Sequence, residues 1–249
     1  MELVLLTALG IGGATVFGAA MGFLIPDLSQ KAQDIMMAFA AGVMLAAAII
    51  GLLIPAVEIT GKSGIWVIGL GIFTGAFFLN IMDKLTPHLH HISGVDKEVH
   101  NNGNINRVLL FVFAIALHNL PEGLAAGVSF GGGNVDNAIG VAVGIALQNV
   151  PEGMIIIAPM LASGMRRGRT FVIAAFTGLI EVIGTFIGYS AVSISSSILP
   201  FALSLAGGTM LYVIGDEMIP ETHSNGNETA ATYAMIAGFF LMLCMDLLI

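Results

Sequence analysis

Polar side chains punctuate this chain, and between them run eight stretches of mostly apolar residues, at roughly 3–25, 32–54, 64–82, 107–130, 137–162, 170–192, 198–217 and 230–249. A helix crossing the hydrocarbon of a bilayer needs about 20 such residues, so each stretch reads as one spanning helix. Turn formers or charges hold the breaks: Pro26-Asp27, Pro55 to Lys62, the stretch 83–106, Gly131 to Asp136, Gly164 to Arg169, Ser193 to Ser197 and Glu221 to Glu228. The third run is the shortest and has Trp66 as an interfacial anchor. The first run follows Glu2 rather than a basic start and exceeds the core of a cleaved leader, so it reads as the first span. The pattern predicts an all-α polytopic membrane protein, an eight-helix bundle forming a single domain over 1–249.

Composition agrees. The chain is 57% hydrophobic and 10% charged, with a mean hydropathy of +0.95, which a soluble domain could not bury. A net charge of −8 and the lack of any basic run exclude nucleic acid as a partner. Cys244 is the single cysteine, so neither a disulfide framework nor a thiolate metal site can form, and it reads as a small apolar residue.

Eight spans put both termini on one side. Lys31, Lys84, Lys97, Arg107, Arg166, Arg167 and Arg169 fall in the connections after the first, third and fifth spans, and Lys62 alone falls in the other set. Basic residues are retained in the cytoplasm, so both termini are expected outside a plasma membrane, the inner membrane of a prokaryote. The stretch 83–106 then becomes a cytoplasmic loop rich in His and Asn. Small residues at four-residue spacing, such as Gly10, Ala14, Gly18 and Gly22, allow close helix approach and leave a homodimer open; packing alone explains them.

The candidate chemistry lies within the fourth, fifth and sixth spans. Two nearly identical hexapeptides, His118-Asn-Leu-Pro-Glu-Gly123 and Gln148-Asn-Val-Pro-Glu-Gly153, stand 30 residues apart. In each, the first residue precedes its Glu by four positions and shares a helical face with it. Pro121 and Pro151 supply no N–H to the carbonyls of Leu117 and Leu147 and open both helices locally. His118, Gln148 and Glu181 each lie about eleven or twelve residues into their spans, within a few ångströms of the midplane at ~1.5 Å per residue. There a charged residue costs about 2.5–3.5 kcal/mol. No Lys or Arg lies inside a span to neutralise Glu122, Glu152 and Glu181. Protonation in a hydrogen-bonded network is one remedy; a cation from outside the chain is the other. Imidazole, carboxylate and the amides of Asn119, Gln148 and Asn149 form a donor set suited to zinc, iron, manganese or cadmium rather than magnesium or calcium. Met44, also near the midplane, reads by itself as a core methionine.

The chain resembles the ZIP (Zrt/Irt-like protein) family of divalent-metal transporters, most closely its GufA-like prokaryotic branch. The resemblance covers all eight spans. It rests on the paired HNLPEG and QNVPEG segments, on Glu181 and on Ala-Gly-Val-Met44-Leu-Ala. Further support comes from Asp83-Lys-Leu-Thr-Pro-His88-Leu-His90 and Glu217-Met-Ile-Pro-Glu221-Thr-His223. It implies a two-ion site: a primary ion on Met44, His118, Glu122, Gln148 and Glu152, and a secondary ion on Asn119, Asn149 and Glu181 with Glu122 and Glu152 bridging. Where the family often has Asp or His, this chain has Asn149, and it has Gln148 in place of His; neutral amides leave one or two ions open. The resemblance also implies that Asp246 attracts incoming cations and that Asp83, His88, His90, Glu217 and His223 receive the ion inside. The implied function is inward transport of zinc, with cadmium, iron or manganese as alternatives, by one helix group (1, 4, 5 and 6) moving against the other (2, 3, 7 and 8).

Other classes remain distinguishable. An intramembrane metalloenzyme would need three strong ligands, an open water position and a base, whereas the spans hold one histidine and no HExxH pattern. A proton-coupled carrier of a small organic solute could use the same carboxylates and would ignore chelators. A channel lined by the same ligands would not saturate at micromolar metal.

Overall fold

The structure, a computed structural model, describes residues 1–25, 28–85 and 103–248; for 83, 85, 103–115 and 117 it describes the backbone alone. Within these residues every regular element is helical. Eight long helices follow one another: α1 (Glu2–Leu24), α2 (Gln30–Thr60), α3 (Ile65–Leu85), α4 (Gly103–Gly131), α5 (Val135–Ala162), α6 (Arg167–Ile194), α7 (Ser196–Thr222) and α8 (Glu228–Leu248). Among the described residues seven helices have the length and composition to cross a membrane, and α4, at 29 residues, completes an all-α polytopic bundle. Trp66, Phe73, Tyr233 and Leu247 stand exposed on its rim, as a lipid-facing surface requires. Of the segment 83–106, helix α3 takes 83–85 and α4 takes 103–106.

Two helices run further than their apolar patterns suggest, and the cause is the same in both. Pro55 would press its ring on the Gly51 carbonyl of a regular helix and offer it no N–H. Instead a π-helical stretch, Ala47–Leu53, widens the turns just before the proline, and α2 continues to Thr60, where Gly61 at φ 61° ends it. The carbonyl of Gly51 is met from the neighbouring helix: Asn137 Nδ2 of α5 donates to it at 3.0 Å. In α7 the π-helical stretch Ile214–Met218 precedes Pro220 in the same way. Pro121 sits inside α4 and Pro151 inside α5; both helices remain helical through the proline, and α5 breaks its regular course only at Ile156.

The helices sort into two groups. The most extensive pairings are α4 with α6 and α1 with α5 and α6 on one side, and α3 with α7 and α2 with α8 on the other. Contact between the groups runs mainly through α2 with α5 and α4 with α7. Glycine separates these two kinds of interface. Inside the first group, a Cβ on Gly12 would lie 2.5 Å from Gly178 O, on Gly184 2.7 Å from Leu120 O, and on Gly22 2.7 Å from Met154 O. Within the second group, Gly42 abuts the Met235 backbone, Gly75 that of Leu205 and Gly238 that of Phe39. These are backbone-on-backbone contacts that no side chain could enter. Between the groups the neighbours are side chains: Gly51 faces Val141, and Gly144 faces the Met242 thioether and Ala47 Cβ.

Candidate transport site

Buried in the first group, α4, α5 and α6 bring their polar residues together. Glu122, Asn119, Gln148, Asn149 and Glu181 are buried almost completely, while Glu152 is half-buried. Glu122, Glu152 and Glu181 lie close to one another, and His118 lies close to Glu152. The Lys and Arg residues of the helices stand near their ends, away from the middle of the spans, so protonation, hydrogen-bond donors and incoming cations are what can offset such a concentration of carboxylates.

The donors divide unevenly. Glu181 receives three: Thr15 Oγ1 and Asn119 Nδ2 both donate to its Oε1 at 2.6 Å, and Asn149 Nδ2 donates to its Oε2. Asn149 Nδ2 also reaches the Ile11 carbonyl at 3.1 Å. Glu122 receives one, from Gln148 Nε2 to Oε1 at 2.6 Å. Among the described residues its Oε2 has no partner, and neither do the side-chain oxygens of Gln148, Asn119 and Asn149. These are four acceptor oxygens, buried, without a donor, on a helix pair carrying two of the carboxylates. A buried acceptor left unmade is costly, and a cation satisfies several at once. Among the described residues no three His, Cys, Asp or Glu side chains meet at ligand spacing; the acids meet amides instead.

His118 turns toward the other group. Its Nε2 lies 2.9 Å from Glu217 Oε1, with the two side chains 19% and 24% exposed. Glu217 belongs to the π-helical stretch of α7, so this pair joins α4 to α7 across the boundary. Met44 is buried on α2 just before its π-helical stretch, in the core that α2 shares with α5. On α8, Asp246 is half-buried beside Gly140 of α5.

His223 is occupied. Its Nδ1 meets the Ile219 carbonyl at 2.9 Å and Nε2 meets Thr232 Oγ1 at 3.1 Å. A carbonyl only accepts, so Nδ1 carries the proton, while the single hydroxyl hydrogen of Thr232 has both Nε2 and the Glu228 carbonyl, 2.8 Å away, within reach. To bind an ion, His223 would surrender the Thr232 contact. His88 and His90 lie outside the described residues, as does the side chain of Asp83.

Two participants escape a reading of the sequence. Thr15 is one of only two hydroxyl-bearing residues of α1, and its position midway along that helix is the available signal. Asp34 is buried near the start of α2 and accepts from Gln30 at 2.9 Å, Asn225 at 3.0 Å and Asn227 at 2.8 Å. It thereby pins the turn between α7 and α8, and its charge in a polar first turn gave no hint of this.

The family model described as ZIP Zinc transporter matches residues 95–246. The chain is 39% identical to the zinc transporter GufA of Myxococcus xanthus, over 98% of this chain and 97% of that protein. It is 38% identical to the zinc transporter ZIPB of Bordetella bronchiseptica, over 94% of this chain and 77% of the relative. The zinc transporter ZupT of Chlorobaculum parvum is 34% identical over 93% and 91% of the two chains.

Proposed function

Because the chain belongs to the ZIP zinc transporter family, we propose that it carries zinc inward across the plasma membrane, through a midplane site supplied by α2, α4, α5 and α6. It is a multi-pass membrane transporter and not an enzyme. The relatives' named cargo supports zinc among divalent ions. Cadmium, iron and manganese suit the same imidazole, carboxylate and amide donors.

The observation that carries the reading is the buried Glu122–Gln148 pair, in which Glu122 Oε2 and Gln148 Oε1 are without a donor among the described residues. Glu122, Glu152 and His118 bind the dication, with Gln148 and Met44 completing its shell. Two carboxylates neutralise the two charges, which removes the penalty of about 2.5–3.5 kcal/mol that each charge pays in hydrocarbon. With no thiolate in the set the bonds stay exchangeable, as release requires.

Alternation follows from where these residues ride. All but Met44 belong to α4 and α5, inside the group locked by glycine backbone contacts. That group slides as a body against α2, α3, α7 and α8 over an interface of side chains, carrying the site from an outer to an inner cavity in the manner of an elevator. Asp246 draws cations at the outer end. Glu217 takes over His118 on the inner side. Both termini then face outward, and the basic connections after α1, α3 and α5 face the cytoplasm.

Purified protein in vesicles tests this. Saturable zinc accumulation is expected, abolished by external chelator and lost in Glu122→Ala. Uptake of an organic solute that persists in chelator would replace this reading with that of a proton-coupled carrier.

A further inference from the structure

We infer that Asn137 is the latch that holds the two helix groups together on the outer side of the site, a positioning residue whose release from the Gly51 carbonyl lets that boundary open. The inference rests on the proposed sliding of the groups and names the contact that holds one end state of it. Its basis is a hydrogen bond that crosses the boundary: Asn137 Nδ2 of α5 donates to the Gly51 carbonyl of α2 at 3.0 Å.

The acceptor is a product of the sequence. In a regular helix the Gly51 carbonyl would take the N–H of residue 55, and Pro55 has none. The π-helical stretch Ala47–Leu53 accommodates the proline ring, and Gly51 lies buried within it. A buried carbonyl short of its donor is costly, the more so at membrane depth. The donor is held as firmly as the acceptor. The Asn137 backbone N–H donates at 3.2 Å to the side chain of Asn134, the N-cap of α5, which fixes the first turn of that helix. A carbonyl only accepts, so the NH2 of the Asn137 amide, and not its oxygen, faces Gly51. One turn further along the same face of α5, Val141 fills the space that a side chain on Gly51 would take.

Exposure differs on the two sides of the site. Around the latch, Ala48, Leu52, Ala138 and Val141 are completely buried, whereas His118 and Glu217 remain 19% and 24% exposed. With α2 running outward and α5 inward, the boundary is shut on the outer side and open toward Glu217. Sliding α5 past α2 by one helical turn, about 5.4 Å, takes Asn137 out of reach of Gly51 and leaves the carbonyl to water entering from outside. The bond therefore exists in one end state alone, which is what lets it set the balance between the two. Asn137 stands eleven positions before Gln148, about three helical turns from the ligands. It governs access to the site and leaves the donor set untouched.

The test reads how often the boundary opens. In a Cys244→Ser background, Val141→Cys reports from beside Gly51, and Ala19→Cys reports from the core that α1 shares with α5 and α6 inside the first group. Each reporter is reacted with a maleimide in detergent, first with Asn137 in place and then with Asn137→Leu, which matches the amide in shape and cannot donate; Asn137→Ala serves if that variant does not fold. Labelling at Val141→Cys is expected to quicken about three- to tenfold on loss of the donor, with labelling at Ala19→Cys and the zinc Kd each held within about twofold. An unchanged rate at Val141→Cys overturns the inference. So does an equal rise at both reporters, which would make Asn137 a general structural prop, and so does a loss of zinc affinity of about tenfold or more, which would put it among the ligands. Zinc uptake by the wild-type chain in vesicles is measured alongside. Its absence removes the transporter reading, whereas uptake with unchanged labelling removes the latch alone.

Discussion

The division into two helix groups makes a sharp prediction about adding one methyl group at two glycines. At Gly184 of α6, a Cβ would sit 2.7 Å from the Leu120 carbonyl and 3.1 Å from Gly123 Cα and Leu124 N, all backbone atoms of α4. Ordinary contact begins near 3.4 Å, so Gly184→Ala must push α4 and α6 apart by about 0.7 Å. Two backbones cannot yield as a side chain does, and overpacking of this kind costs about 1–3 kcal/mol. At roughly 2–4 °C per kcal/mol for a chain of this size, Tm falls by about 2–12 °C. At Gly144 of α5, between the groups, the nearest atoms are the Met242 Sδ at 2.8 Å and Cε at 3.1 Å, with Ala47 Cβ at 3.5 Å. A thioether rotates away at little cost, so Gly144→Ala should lose less than about 1 kcal/mol and a few degrees at most. Thermal unfolding of both variants in detergent, followed by loss of the monodisperse gel-filtration peak, reads the difference. A Gly144→Ala variant that melts as low as Gly184→Ala, or lower, would refute the claim that glycine backbone contact locks each group while side chains cushion the boundary.

Other consequences are smaller. Thr15→Val keeps the shape of the side chain and removes one donor to Glu181, so about 1 kcal/mol of stability should vanish and return in Thr15→Ser, as melting curves would report. Glu217→Gln breaks a partly exposed pair with His118 worth up to about 1 kcal/mol; zinc uptake should change by no more than about fivefold, and complete loss of uptake would make Glu217 a ligand of the primary site instead. Asp34→Ala strands the amides of Asn225 and Asn227, so proteolysis at the α7–α8 turn should accelerate while zinc binding persists; an unchanged digestion rate would show that Asp34 does not hold that turn.

Much of the architecture is legible in the chain because lipid imposes a simple rule on composition, and the eight apolar runs map onto eight helices. The carboxylates of the site are legible for the same reason: Glu122, Glu152 and Glu181 are conspicuous only because hydrocarbon surrounds them. Pro55 and Pro220 misled the boundaries of α2 and α7, since a π-helical stretch is a tertiary accommodation with no residue signature; the Asn137 amide that serves Gly51 comes from a different helix. The four-residue glycine spacing read as packing alone, and nothing local distinguishes Gly123, which meets the Glu181 backbone, from Gly144, which meets a methionine. Thr15 became visible only when α1 was seen against α6, a contact between residues 166 positions apart. The amide at 149 marks a departure from the family pattern in the sequence, yet its role as a donor to both Ile11 and Glu181 required the fold.

Whether a dication sits between α4 and α5 is decided most directly by diffraction from zinc-soaked crystals, measured on both sides of the zinc absorption edge. An anomalous peak within bonding distance of Glu122, Glu152 and His118, and lost in Glu122→Ala, is what this account predicts. Data from well-ordered crystals with no peak there, or a peak that survives the substitution, would contradict it.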